Sequence, residues 1–172
     1  MGVAGAGKTT VGRLVADTLG VAYLEGDDLH SADNVRRMAQ GIPLTDDDRR
    51  SWLTAIATRI AEAVHAGSGL FVACSALKRA YRDRLRAADP DLQFVFLTGD
   101  AALIARRLAQ RVGHFLPASL LESQLATLEI PAAEEHAWTF DVAGTPEAIA
   151  ARIVERLRAA GTATDSPDRR TG

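Results

Sequence analysis

One cysteine, Cys74, rules out an internal disulfide. No apolar run approaches the roughly 18 residues that a membrane-spanning helix needs. Aromatic residues make up only 5%, and 20 Lys and Arg are outweighed by 22 Asp and Glu. A nucleic-acid binder wants a basic stripe and stacking platforms, and neither is expected here. The four histidines, His30, His65, His114 and His136, show no metal-ligand spacing. The amino end is Gly-rich and lacks the apolar stretch of a secretory signal, so a cytoplasmic protein is expected. What is present is an ordinary globular composition, 47% apolar in 172 residues, enough for one domain with a sizeable core.

The most informative stretch is Gly2-Val3-Ala4-Gly5-Ala6-Gly7-Lys8-Thr9, which fits the phosphate-binding pattern G-x-x-x-x-G-K-[ST] at every fixed position. The glycines let the backbone curl so that successive N–H groups face phosphate oxygens. Lys8 brings a mobile charge to the β- and γ-phosphates, and Thr9 brings a hydroxyl for Mg²⁺. Thr10 opens the helix, whose positive end lies under the same anion.

Periodicity places helices at 9–19, 31–40, from Thr45 to about 66, at 78–88, from Asp100 to about Arg111, from Ser119, and from Pro146. Apolar stripes are Trp52, Ile56, Ile60 and Val64 in one helix and Leu120, Leu121, Leu125 and Leu128 in another. Short apolar runs at 21–25, 70–74, 93–97 and 140–142 read as buried strands. Strands alternating with amphipathic helices predict an α/β fold with a parallel sheet covered on both faces. Ligands then bind beyond the strand carboxyl ends, at loops starting from Glu25, Cys74, Leu97 and Val142.

A P-loop ordinarily follows a strand, and only Met1 precedes Gly2. Without that central strand its neighbours would stand roughly 9–10 Å apart and not pair. The expectation is that the natural protein begins upstream. The domain is expected over 1–160, with a lid at about 111–130 and a disordered tail at 161–172.

Phosphoryl transfer needs an acceptor base and charge stabilisation as well as a nucleotide. Asp27, just past a strand end, suits the base, against an alternative as a solvated turn acid. Glu25, two residues earlier, suits a Mg²⁺-bound water. The strand ending at Cys74 lacks a terminal Asp of the Walker B kind, so Thr9, Glu25 and Asp27 are the candidate metal shell. Arg107 and Arg111, four apart, share a helix face from which a lid would deliver charge, or form a solvated basic face. Lys78, Arg79 and Arg82 could hold a substrate anion, or simply cover a helix surface. His30 and His114 flank the cleft and suit substrate hydroxyls. Cys74 reads as a core thiol.

The succession GVAGAGKTT, LEGDDLH, NVRRMAQGIPLTDDDRRSWL, CSALKRAYRDRLR and RVGHFLPASLLESQLATLE closely resembles gluconokinases of the small P-loop type, relatives of shikimate kinase. The resemblance runs from Gly2 to about Leu157. It implies the P-loop nucleoside triphosphate hydrolase fold with strand order 2-3-1-4-5 and a mobile lid. It also implies ATP and Mg²⁺ as cofactors, transfer of the γ-phosphate to the 6-hydroxyl of D-gluconate, and commonly a homodimer. By position, Gly2, Val3, Ala4, Gly5, Ala6, Gly7, Lys8, Thr9 and Thr10 hold the nucleotide, and Asp27 is the base. Arg49 grips the acceptor carboxylate, Lys78 lies beside the acceptor, and Arg107 and Arg111 are lid arginines. Two features depart from the pattern: the leading strand is absent, and Glu25 stands where many members have Asp, one methylene shorter.

Other readings are a kinase for a different small acid or a nucleotide, and an inactive nucleotide-binding homologue. A nucleoside acceptor would want stacking residues near the cleft, and Asp28 to Arg49 has no aromatic residue. A guanine-selective switch would carry an N-K-x-D type motif, which is absent.

Overall fold

The computed structural model describes residues 1–110 and 118–164, without the side chains of 118–120 and 162–164. In chain order the elements are α1 (Lys8–Leu19), β1 (Ala22–Glu25), a 3₁₀ turn (Gly26–Leu29), α2 (Ala32–Ala39), α3 (Asp46–His65) and β2 (Leu70–Ala73). They continue with α4 (Arg79–Arg86), β3 (Val95–Thr98), α5 (Ala101–Ala109), α6 (Ala118–Thr127), a second 3₁₀ turn (Ala133–Glu135), β4 (Trp138–Asp141) and α7 (Pro146–Thr164). The expected helices and strands all occur, with shifted ends. α7 runs on to Thr164, so the first residues of the expected disordered tail are helical.

Thr45, the expected start of the long helix, caps α3 with a complete capping box. Thr45 Oγ1 accepts from the Asp48 amide at 3.2 Å, and the Asp48 carboxylate accepts from the Thr45 amide at 2.7 Å. This reciprocal pair satisfies two amides that the helix start would otherwise leave unpaired. α3 buries Trp52, Leu53, Ile56 and Ile60, but its stripe stops there, because Val64 lies in the last turn and is exposed. On α6, Leu121 is buried whereas Leu125 is exposed, contrary to the expected stripe.

The strands form two parallel pairs rather than one sheet. β1 pairs with β2 from Ala22 opposite Leu70 to Glu25 opposite Ala73, and β3 pairs with β4 from Val95 opposite Trp138 to Thr98 opposite Asp141. As the sequence predicts, β2 and β3 do not pair. Met1 alone stands between them. Its amino group donates to the Val95 carbonyl, its carbonyl accepts from the Leu97 amide at 2.9 Å, and the Gly2 amide donates to the Ser75 carbonyl at 3.1 Å. These are the bonds of one step in a parallel ladder. Below Met1, a cavity of about 280 Å³ separates the pairs, lined by Leu70, Val72, Val95, Leu97, Val11 and Ile56 among others.

Helices cover both faces. α1 and α7 pack together on one side, where Val11 and Val15 join Val95, Leu97, Ile104, Ile149 and Ile153 in one apolar cluster. On the other side α3 and α4 bring Trp52, Ile56, Tyr81 and Leu85 against Cys74 and Phe94. Phe94, just before β3, and Val95, its first residue, thus serve opposite faces, as successive extended residues do. The strand carboxyl ends, with the loops after β1 and β2 and the P-loop, meet at one edge of this sandwich.

Candidate active site

The P-loop is wedged between β3 and α5. Gly2 has φ +135°, and a Cβ there would lie 2.5 Å from the Leu97 carbonyl oxygen. Gly5 has φ +81°, with the Ile104 carbonyl oxygen 3.0 Å from where its Cβ would be. Only glycine fits at either position, so the curl of the loop is built into its contacts. Lys8 Nζ donates to the Val3 carbonyl at 3.0 Å, which draws the ammonium back across its own loop. The Ala4 amide donates to Gln124 Oε1 on α6 at 2.6 Å. Thr9 Oγ1 donates to Glu25 Oε2 at 2.8 Å, and the Tyr23 hydroxyl donates to the same oxygen at 2.7 Å.

The 3₁₀ turn after β1 exposes Asp27 and Asp28 beside this carboxylate. The turn is held from below, since Trp52 Nε1 donates to the Gly26 carbonyl at 2.7 Å. The His30 ring stacks on Trp52 with centroids 4.5 Å apart and planes within 9°. Its Nδ1 is buried and has no hydrogen-bond partner among the described residues. Burial holds His30 below the usual histidine pKa; the Asp27 charge opposes this and the Arg49 charge adds to it.

Arg49 donates to the Leu44 carbonyl, and its guanidinium lies 6.0 Å from the Tyr81 ring centroid. Both Asp46 oxygens take Lys78 Nζ at 2.8 Å, and Tyr81 donates to Asp46 as well. The hydrogen bond to Asp46 raises the Lys78 pKa, and the bonds from Lys78 and Tyr81 lower that of Asp46. One wall of the cleft thus carries His30, Arg49, Tyr81 and Lys78.

Arg82 is not on that wall. It is fully buried, forks onto both Glu135 oxygens, and donates to the carbonyls of Ala76, Leu77 and Glu129. Four of its five N–H groups are engaged in this way and the side chain is buried in the core, away from the cleft wall, which sets it apart from the substrate-binding role expected for it. The pair holds Glu135 down to about 2, chiefly through the Arg82 hydrogen bonds. Arg107 is on the exposed face of α5 and donates to the Gly144 carbonyl, 3.4 Å away in the loop after β4. Arg111 and His114 lie outside the described residues. Cys74 is buried, and burial pushes its thiol up to about 12, as befits a core residue.

Mg²⁺ prefers hard oxygens and completes its shell with water and phosphate oxygens. The Thr9 hydroxyl and the Glu25 carboxylate are such donors, side by side at the first turn of α1, so the residues fit this ion. Three site neighbours escaped the sequence reading. Gln124 meets Ala4 across 120 residues, and nothing local signals that contact. Asp46 reads as a dipole acid at a helix start and only the fold brings Lys78 to it. Tyr23 was open to inference, because residues two apart on a strand share a face.

A family model described as an AAA domain matches residues 1–131. A gluconokinase of Gluconobacter oxydans is 44% identical over 159 residues, 92% of this chain and 89% of that protein. The crystal structure of a sugar kinase from Janibacter superposes with a TM-score of 0.88 at 44% identity, covering 94% of each chain. A gluconokinase structure from Sinorhizobium meliloti gives 0.81 at 46% identity, over 93% of this chain and 94% of that one. With a glycine-locked phosphate loop, a Thr–Glu pair at its helix start and these relatives spanning nearly its whole length, the chain belongs to the gluconokinase family of P-loop kinases.

Proposed function

We propose that the protein transfers the γ-phosphoryl group of ATP to the 6-hydroxyl of D-gluconate, giving 6-phosphogluconate. One juxtaposition carries the reading: the P-loop and its Thr9–Glu25 pair open onto a turn with an exposed carboxylate, Asp27, followed by a buried histidine nitrogen that has no partner among the described residues. Gluconate offers a carboxylate and a row of hydroxyls to such a wall.

The amides of Gly2 to Thr10 and the positive end of α1 cradle the phosphates. Lys8 exchanges the Val3 carbonyl for phosphate oxygens and follows the charge as it moves to the β–γ bridge. Thr9, and Glu25 through a water, would hold Mg²⁺, which would supply positive charge against the phosphates. Asp27 accepts the proton of the 6-hydroxyl as that oxygen attacks phosphorus. Arg49 grips the acceptor carboxylate, and Lys78, steadied by Asp46, lies beside it. His30, kept neutral by burial, bonds a substrate hydroxyl through Nδ1, and Asp28 and His114 serve the remaining hydroxyls. Arg107 and Arg111 bring positive charge over the phosphates as the 111–130 segment closes. A site built around hydroxyls rejects acids that lack them. A cytoplasmic homodimer is the form expected for this enzyme, and light scattering tests its oligomeric state.

ADP release over a panel of D-gluconate, other sugar acids, shikimate and nucleoside monophosphates tests the assignment. Turnover led by D-gluconate supports it; turnover led by another acceptor refutes it.

A further inference from the structure

Tyr23 has no part in the chemistry above, yet its hydroxyl bonds the Glu25 oxygen that also takes the Thr9 hydroxyl. Its ring is locked in place by packing. A Cβ on Gly12 of α1 would lie 2.9 Å from Tyr23 Cε2 and 3.1 Å from Phe71 Cε1, so only a glycine admits the two rings there. The Arg13 guanidinium covers the ring at 5.4 Å. The phenol therefore reaches Glu25 from a fixed base.

A threonine hydroxyl has one proton and two lone pairs. By giving its proton to Glu25 Oε2, Thr9 keeps both lone pairs for a cation. That arrangement depends on where the carboxylate stands. Glutamate has one more rotatable bond than aspartate, and a free side chain of this length spreads over several rotamers. The Tyr23 hydroxyl removes that freedom, since it fixes the same oxygen from the strand side. The phenol is the donor in this bond, since the carboxylate oxygen can only accept.

We propose that Tyr23 is a positioning residue for nucleotide-bound magnesium: its hydroxyl pins the long Glu25 side chain against Thr9 and so aims the Thr9 oxygen at the metal. The proposal rests on the reading of Thr9 and Glu25 as the magnesium shell, and it explains how a glutamate serves at a position where a shorter aspartate would need no such restraint.

The test is calorimetric binding of ATP to the full chain across a Mg²⁺ series, with the half-saturating Mg²⁺ concentration as readout. Native protein is compared with Tyr23→Phe, Glu25→Ala, Glu25→Asp and the Tyr23→Phe/Glu25→Asp double variant. Loss of one charge-assisted hydrogen bond raises the Mg²⁺ requirement of Tyr23→Phe by about tenfold. Metal-free ATP binding is unchanged. In the Glu25→Asp background the phenol no longer reaches the carboxylate, so Tyr23→Phe adds less than about twofold. An equal effect of Tyr23→Phe in both backgrounds would mark a packing role and overturn the proposal. So would a raised requirement in Glu25→Ala with none in Tyr23→Phe. A Glu25→Ala variant with the native Mg²⁺ requirement would instead overturn the shell reading beneath it, and the proposal with it.

Discussion

Adding a four-residue apolar extension such as Val-Ile-Val-Leu before Met1 sends an extended segment into the gap between β2 and β3. The gap has a volume of about 280 Å³. At about 24 cal/mol per Å³, filling it is worth about 7 kcal/mol. Ordering four backbone residues costs about 6 kcal/mol. Ladder bonds to the two facing edges add about 1 kcal/mol each, so a few kcal/mol remain in favour of the extended chain. For a domain of this size each kcal/mol moves the melting temperature by about 2–4 °C, so a rise of roughly 10 °C is expected. A polar extension of equal length, such as Ser-Asn-Gly-Asp, supplies no apolar filling and leaves the melting temperature nearly unchanged. A pH signature accompanies the shift. Burial, reinforced by the Lys8 charge, lowers the Met1 amino group from its usual 8.0 to about 5. Between those values the unfolded chain holds a proton that the folded chain does not. Stability therefore rises with pH across this window and falls as pH drops from 8 to 5, by about 4 kcal/mol in total. The extension turns that amine into an amide and abolishes the slope. Thermal unfolding by circular dichroism at pH 5, 6.5 and 8 reads both effects. Equal melting temperatures for the apolar and polar extensions, or a pH slope that survives the apolar one, would refute the reasoning.

Lys8→Ala lowers kcat by about 10²–10³-fold, and an unchanged circular dichroism spectrum separates this from unfolding. Asp27→Asn lowers kcat by about 10²–10⁴-fold with nearly native ATP affinity by calorimetry; a collapse of ATP affinity would make Asp27 a metal-shell residue instead. Arg82→Ala leaves Glu135 buried and unpaired and destabilises the fold by about 3–5 kcal/mol in urea titration, with the KM for gluconate unchanged. Glu135 is held near 2 in the folded chain against 4.5 ordinarily, so its share of stability is present above pH 4.5 and lost as pH falls toward 2. Glu135→Gln is therefore less sensitive to acid than the native chain in a pH titration of melting temperature.

The nucleotide side was legible because each residue there has a local duty. The glycines, Lys8 and Thr9 act where they stand in sequence, and strand-end logic carries the eye from Glu25 to Asp27. The capping box at Thr45 is likewise a matter of three residues. The acceptor side was harder, because its cations are sorted by partners far along the chain. Lys78 and Arg82 sit in one basic segment and look alike in sequence. Asp46 draws Lys78 to the cleft wall, 32 residues away, while Glu135 draws Arg82 into the core, 53 residues away. No periodicity encodes those choices. The same holds for Val64 and Leu125, whose apolar character fits a stripe but which stand exposed at those points. The split sheet, by contrast, follows from spacing alone: β2 and β3, on either side of Met1, stand too far apart to pair.

Phosphorus NMR of the product tests the assignment most directly. Incubation with ATP, Mg²⁺ and D-gluconate is expected to yield ADP and one new phosphomonoester signal, coupled to the two protons on carbon 6 of gluconate. Formation of ADP and inorganic phosphate alone, or an ester at any other carbon, would contradict a site in which Asp27 readies the 6-hydroxyl for attack.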